Sequence, residues 1–234
     1  MYLTRFRVNA ARPEARRLLS SPQGMHAAVL ASFAERVSHK GNGPRVLWRL
    51  DRWTRSEVLL YVVSPSRPDL THFVEQAGWP TTGGWQTAPY EGFLARLTTG
   101  DSWAFRLTAN PVHNVRRQPG ECTKRTAHTT CQHQTKWLLQ RQADAGFSIL
   151  ERPIPRPGGE GDTFYQLLVH GHQTLAFRKL DEANGTRHDV RLTSVTYDGR
   201  LRVTDPDALR RTLTGGLGKA KAYGCGLMTL ASAE

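Results

Sequence analysis

Met1-Tyr2-Leu3-Thr4-Arg5-Phe6-Arg7-Val8 opens the chain. Tyr2, Phe6 and Val8 interleave with Thr4, Arg5 and Arg7, a period near two that predicts a half-buried β-strand. Pro13 leads into a short basic helical turn, Glu14 to Leu19. Ser20-Ser21-Pro22 then reads as a helix start, with a capping hydroxyl and Pro in the first turn. The helix it opens runs from Gln23 to about Val37, with Met25, Val29, Leu30 and Phe33 at helical spacing. Gly41-Asn42-Gly43-Pro44 breaks the chain, and strands are expected over 45–51 and 57–64. Pro68-Asp69 starts a helix through Val74 and Gln76. Residues 78–89, rich in Gly and Pro, read as loop, and 90–98 as extended chain. Strand, helix, strand, strand, helix, strand is the βαββαβ order of a ferredoxin-like α+β unit.

The pattern restarts after Thr99-Gly100-Asp101. Trp103, Phe105 and Leu107 alternate with Ala104, Arg106 and Thr108. A helix follows near 130–145 with Trp137, Leu138 and Leu139, then a strand at 147–150 and a Pro/Gly loop over 154–163. Paired extended segments at 164–178 and 188–197 are joined by 179–187. Asp198-Gly199 reads as a turn before a short strand with Leu201 and Val203. Asp205-Pro206 caps a helix through Leu213, and 226–231 closes the chain as a strand. The sequence therefore predicts an α+β protein of two tandem ferredoxin-like domains, 1–98 and 99–234, the second carrying an inserted long hairpin.

Size and charge agree with a folded, polyanion-facing protein. The chain has 234 residues, 38% of them apolar, with six Trp, eight Phe and six Tyr to fill a core. Lys and Arg number 32 against 20 Asp and Glu, a net +12. Only six of the 32 are Lys, and forked guanidiniums suit phosphate better than solubility alone requires. No apolar run approaches the roughly 18–20 residues that span a bilayer, and from the alternating start no signal peptide is expected. Cys122, Cys131 and Cys225 form no CxxC pair, so a disulfide framework is not expected and a reducing cytoplasm is.

The densest local signal is Gly215-Gly216-Leu217-Gly218-Lys219-Ala220-Lys221-Ala222-Tyr223-Gly224-Cys225-Gly226-Leu227. Glycines let a backbone approach phosphate closely, and lysines add point charge. The run fits neither a Walker A nor a dinucleotide-binding fingerprint. A helix C-cap followed by a tight turn would use the same residues.

Residues 216–227 resemble the C-terminal glycine-rich loop of the RAMP superfamily of CRISPR-associated proteins, in particular the CasE-type crRNA-processing endoribonucleases of type I-E Cascade. Met1-Tyr2-Leu3-Thr4-Arg5, Phe105-Arg106-Leu107-Thr108-Ala109-Asn110-Pro111 and His26 agree, so the resemblance covers essentially the whole chain. It implies tandem RRM-like domains that cleave the repeat stem-loop of precursor crRNA without metal or other cofactor. The products carry 2′,3′-cyclic phosphate and 5′-hydroxyl ends, and the enzyme stays on the RNA among the other Cascade subunits, away from any membrane.

His26 matches the family's catalytic histidine. One group must take the 2′-OH proton while another supplies one to the leaving 5′-oxygen, and imidazole does either near neutrality. Some relatives place a tyrosine three residues earlier, where this chain has Gln23; Tyr2, at the start of the neighbouring strand, is a candidate substitute, but the favoured reading of it is an anchored strand aromatic. The RNA-binding candidates are Arg16 and Arg17 before His26, Arg178, Lys179, Arg187 and Arg191 beside the long hairpin, and Gly216, Gly218, Lys219 and Lys221 in the glycine run. Arg116, Arg117, Lys124 and Arg125 crowd one further loop. Cys122, His128, Cys131 and His133 can be drawn as a zinc set, but at a spacing unlike the common fingers. The competing reading is a non-catalytic RAMP subunit that only holds RNA.

Overall fold

The computed structural model describes residues 1–35, 43–52, 54, 57–80, 84–115, 123–153, 163–180 and 186–232. The expected break at 41–42, the 154–162 loop, Arg116, Arg117, Cys122 and the hairpin tip 181–185 lie outside them, as do the side chains of Lys179 and Arg187. The fold is α+β, built on antiparallel sheets.

The first half contains β1 (Tyr2–Asn9), α1 (Pro13–Ser20), α2 (Pro22–Leu30), β2 (Leu47–Arg52), β3 (Glu57–Ser64), α3 (Thr71–Ala77), β4 (Trp85–Pro89) and α4 (Glu91–Ala95). Its sheet has the order β2-β3-β1-β4, with every pairing antiparallel. The alternation that marked β1 does what period two requires. Phe6 and Val8 are buried while Arg5 and Arg7 stay exposed. Phe6, Trp48, Val58, Leu60 and Val62 meet Met25, Val29 and Phe73 from the helices in one core. Each such fully buried side chain contributes roughly 1.5–3 kcal/mol.

The second half contains β5 (Ser102–Ala109), β6 (Val112–Val115), β7 (Lys124–Ala127), α5 (Cys131–Leu139), β8 (Phe147–Ile149), β9 (Glu151–Pro153), β10 (Thr163–Tyr165), β11 (Leu167–Leu180), β12 (Arg187–Val203), α6 (Pro206–Gly215), a 3₁₀ turn (Lys221–Tyr223) and β13 (Met228–Ser232). Its main sheet runs β11-β12-β5-β13, with β8 also on β12. β6-β7 and β9-β10 are separate two-stranded ribbons. Leu107, Trp137, Val195, Tyr197 and Leu213 form a second core that also takes in Leu47, Val63, Tyr90 and Leu97 from the first half. The halves are thus joined through shared apolar packing.

Four expectations need correction. The 78–89 stretch holds β4, because Trp85–Pro89 pairs with Tyr2–Phe6 at a sheet edge where Pro89 need not donate to a ladder. Residues 90–98 are not extended: Tyr90, Phe93, Leu94 and Leu97 recur at i, i+3, i+4 and i+7, and that period gives α4. The helix bearing His26 stops at Leu30. There the Ser32 and Phe33 amides donate to the carbonyls of Val29 and Leu30, three residues back, and tighten the last turn. Finally, β12 runs unbroken through Asp198-Gly199. Glycine stands there for close packing, since a Cβ would lie 2.5 Å from the Gln166 carbonyl oxygen and 2.9 Å from the Phe105 ring.

Candidate nucleic-acid interface

The glycine run is both a helix cap and a loop of unusual backbone. Gly216, at φ 76°, ends α6 by donating its N–H to the Thr212 carbonyl. Gly218, Gly224 and Gly226 also have positive φ, a region that side chains rarely enter. Space is tight as well: a Cβ on Gly218 would sit 3.0 Å from the Trp137 ring, and one on Gly224 2.7 Å from Trp48. The loop is clipped at its base. Leu217 donates its N–H to the Gly226 carbonyl at 2.9 Å, and Gly226 to that of Thr108 at 2.6 Å. At its far side Lys219 bridges Asn110, and Ala220 holds φ 61°, strain of the kind proteins keep at functional loops.

From the first half, α2 and β2 pack on the 3₁₀ turn of this loop. α2 begins cleanly because the Ser21 hydroxyl accepts from the Gly24 amide and Pro22 occupies the first turn. Met25 and Val29 anchor it in the core, leaving His26 half-buried. The turn brings Lys221, which is half-buried and not the solvated charge its sequence context suggests. Burial, with Arg45 and Lys219 close by, lowers its amine to about 8. Tyr223, on the same turn, packs edge-on against Phe177 of β11 at 4.7 Å, docking the long hairpin onto the loop.

The basic residues predicted for RNA separate by location. Arg191 and Lys219 converge with Lys124 and Arg125 on one groove of about 920 Å³ between β6-β7, β12 and the glycine loop. Arg178 is exposed and paired with Asp189 at 3.3 Å, so its charge is partly neutralised. Lys179 and Arg187 occupy the open end of the hairpin, opposite His188 and Leu180. Arg16 and Arg17 are exposed on α1, which packs on α2; Arg16 donates to the Ala11 carbonyl.

Sequence reasoning missed a buried charge network between the halves. Arg49 of β2, 1% exposed, grips Asp51 through two hydrogen bonds of 2.7 and 2.9 Å. It also donates to the Arg106 and Leu227 carbonyls and to the Thr229 hydroxyl. Arg106 in turn holds Asp198 by two 2.6 Å bonds, and His170 bonds the same carboxylate at 2.9 Å. Burial pushes the Asp198 carboxyl up, but these bonds outweigh it and hold it below the usual carboxylate range. Asp198 therefore serves this network and not a turn. Arg49 and Asp51, two apart on a strand, share a face, and that spacing of opposite charges was the available signal.

Cys122 of the drawn zinc set lies outside the described residues. His128 instead stacks between His113 at 4.3 Å and His133 at 5.8 Å. Burial and its neighbours' charges depress the His128 pKa. Among the described residues, no group of three His, Cys, Asp or Glu is placed to hold a metal ion, and no helix is long and apolar enough to cross a membrane.

A family model described as CRISPR associated protein matches residues 1–232. The CRISPR-associated endoribonuclease Cse3 of Thermus thermophilus is 32% identical over 233 residues, 99% of this chain and 100% of that one. The structure of Thermus thermophilus Cse3 bound to an RNA representing a pre-cleavage complex matches with a TM-score of 0.72 at 27% identity, over 99% of this chain and 98% of that chain. Cas6e from Escherichia coli str. K-12 shares the fold, with a TM-score of 0.61 at 21% identity over 100% of both chains. The chain belongs to the Cse3/Cas6e family of CRISPR-associated endoribonucleases.

Proposed function

We propose that this protein is a metal-independent endoribonuclease that cuts the repeat stem-loop of precursor crRNA and stays on the mature crRNA as a Cascade subunit in the cytoplasm. Kinship with Cse3, whose RNA-bound structure this chain resembles, supports the RNA substrate. The observation that carries the reading is the packing of α2, with His26, against the 3₁₀ turn of the glycine loop, which carries Lys221. The strand orders β2-β3-β1-β4 and β11-β12-β5-β13 support two ferredoxin-like domains meeting near residues 98 and 99.

In this reading the ribose 2′-oxygen attacks the adjacent phosphorus, forming the cyclic phosphate, while the bond to the 5′-oxygen breaks. The 2′-OH proton leaves to a base and the 5′-oxygen gains one from an acid; no water is consumed. His26 handles one of these protons. Lys221 and Lys219 oppose the charge that builds on the phosphorane, and Gly216 and Gly218 let the RNA backbone approach the loop closely. Arg191 and Lys219 hold the backbone in the groove, the hairpin residues Arg178, Lys179 and Arg187 track the stem, and Arg16 and Arg17 approach the scissile region from α1.

The test incubates purified protein in EDTA with its own repeat transcript and sequences the products. One cut with a 2′,3′-cyclic phosphate is expected, abolished by a single 2′-deoxy substitution 5′ of the scissile phosphate. Cutting of the 2′-deoxy RNA, or activity that returns only with added Mg²⁺, would contradict the reading.

A further inference from the structure

On a regular strand, residues three apart face opposite sides. His170 and Gln173 of β11 break that rule. They pair with Thr196 and Ser194 of β12, so three steps on one strand oppose two on the other, and Gly171 between them has φ 63°. This is a β-bulge, the device that re-aims side chains beside sites. Its effect is that His170 and Gln173 line one and the same cavity, of about 220 Å³, between the outer face of the second sheet and β2 of the first.

The cavity walls combine hydrogen-bonding edges with flat apolar faces. His170 is fixed on Asp198, which also fixes the Arg106 guanidinium at the wall. Thr108 and Thr196 present hydroxyls bonded to each other at 3.1 Å. Trp48 and Tyr223 supply aromatic surface. Drug-sized ligands take about 300–1,000 Å³, so this volume suits a single planar group. Tyr223 faces the cavity on one side and the basic groove of Lys219 and Arg191 on the other. A strand whose phosphates follow that groove reaches Tyr223 with a base free to turn inward, and single-stranded RNA is read by just such splayed, stacked bases.

We propose that this cavity is a pocket for one unpaired nucleobase of the RNA, with its face on Tyr223 and its edge read by Arg106 and Gln173. The assignment rests on the RNA reading above and adds a specificity site to it.

The experiment scans the protein's own repeat transcript with single abasic nucleotides at every unpaired position, measuring affinity for the wild type and for Gln173→Trp. Gln173 is exposed, so the larger ring fills the pocket without disturbing the core. One abasic position should weaken wild-type binding about 10-fold or more, the size of one stacked base. Gln173→Trp should bind the intact transcript correspondingly worse and lose sensitivity at that position alone. A flat scan in a wild type that binds the intact transcript overturns the pocket, and that arm needs no variant to fold. A Gln173→Trp variant in which no position loses its penalty overturns it too. Failure of the wild type to bind any transcript would instead overturn the RNA reading, and the pocket with it.

Discussion

Arg49→Met removes the guanidinium that joins the two halves. In the native structure its Nε and Nη2 hold both oxygens of Asp51, Nη1 serves the carbonyls of Arg106 and Leu227, and Nη2 also reaches Thr229. Among the described residues, the variant leaves Asp51, 6% exposed, with the Arg106 Nη1 at 3.6 Å as its remaining charge compensation. Breaking a buried pair in this way costs about 3–5 kcal/mol, because an uncompensated charge stays behind. For a chain of this size each kcal/mol shifts Tm by about 2–4 °C, so a fall of roughly 6–20 °C is expected by circular dichroism. Removing the carboxylate as well should recover much of it: Arg49→Met/Asp51→Leu leaves no orphan charge, and a well-packed apolar pair is close to neutral. β2 also touches the 3₁₀ turn, so the single variant should cut more slowly. A loss below about 1 kcal/mol, or a double variant no more stable than the single one, would refute the view that this charge network clamps the halves together.

Gly218→Val should lose about 1–3 kcal/mol and most cleavage, since φ 82° and Trp137 leave no place for a branched side chain; wild-type stability would show the loop to be a replaceable turn. Lys221 predicts a pH dependence of definite sign. Its folded pKa of about 8 lies below the ordinary 10.5, so folding disfavours its charged form and its contribution to stability rises between roughly pH 8 and 10.5. Lys221→Met should therefore be more stable than wild type at pH 7 and lose that advantage by pH 10; an advantage independent of pH would contradict the burial argument. Among the described residues, four cations line the basic groove, with Asp189 as the one acidic neighbour. If each neutralises one phosphate, log affinity for the hairpin should fall against log salt with a slope of about −3 or steeper. A flat dependence would show that the groove does not hold the backbone.

What could be read from the sequence was whatever rests on local period and capping. β1 and β5 follow from alternation, and Ser21, Thr130 and Asp205 mark helix starts where the structure has them. β4 was hidden because a five-residue edge strand tolerates the Gly- and Pro-rich flanks that otherwise signal loop. Asp198-Gly199 misled for a related reason: the dipeptide that makes hairpin turns also permits close strand packing. At the site, the glycine run and His26 stood out in the sequence, but their meeting is tertiary. The groove draws Lys124 and Arg125, Arg191, and Lys219 from three separate stretches of chain. The bulge at Gly171 has no period of its own to betray it, and the Lys221 amine is depressed first by tertiary burial and then by Arg45, far away in sequence.

In the proposed reaction His26 moves a proton while the surrounding cations hold the RNA. This is tested most directly by measuring, for His26→Ala in EDTA, the single-turnover cleavage rate and the hairpin affinity side by side. General acid–base catalysis contributes about 10²–10⁴-fold, so the rate should fall by that order while affinity stays within a few-fold of wild type. A rate loss matched by an equal loss of affinity, or cleavage that survives the substitution undiminished, would contradict it.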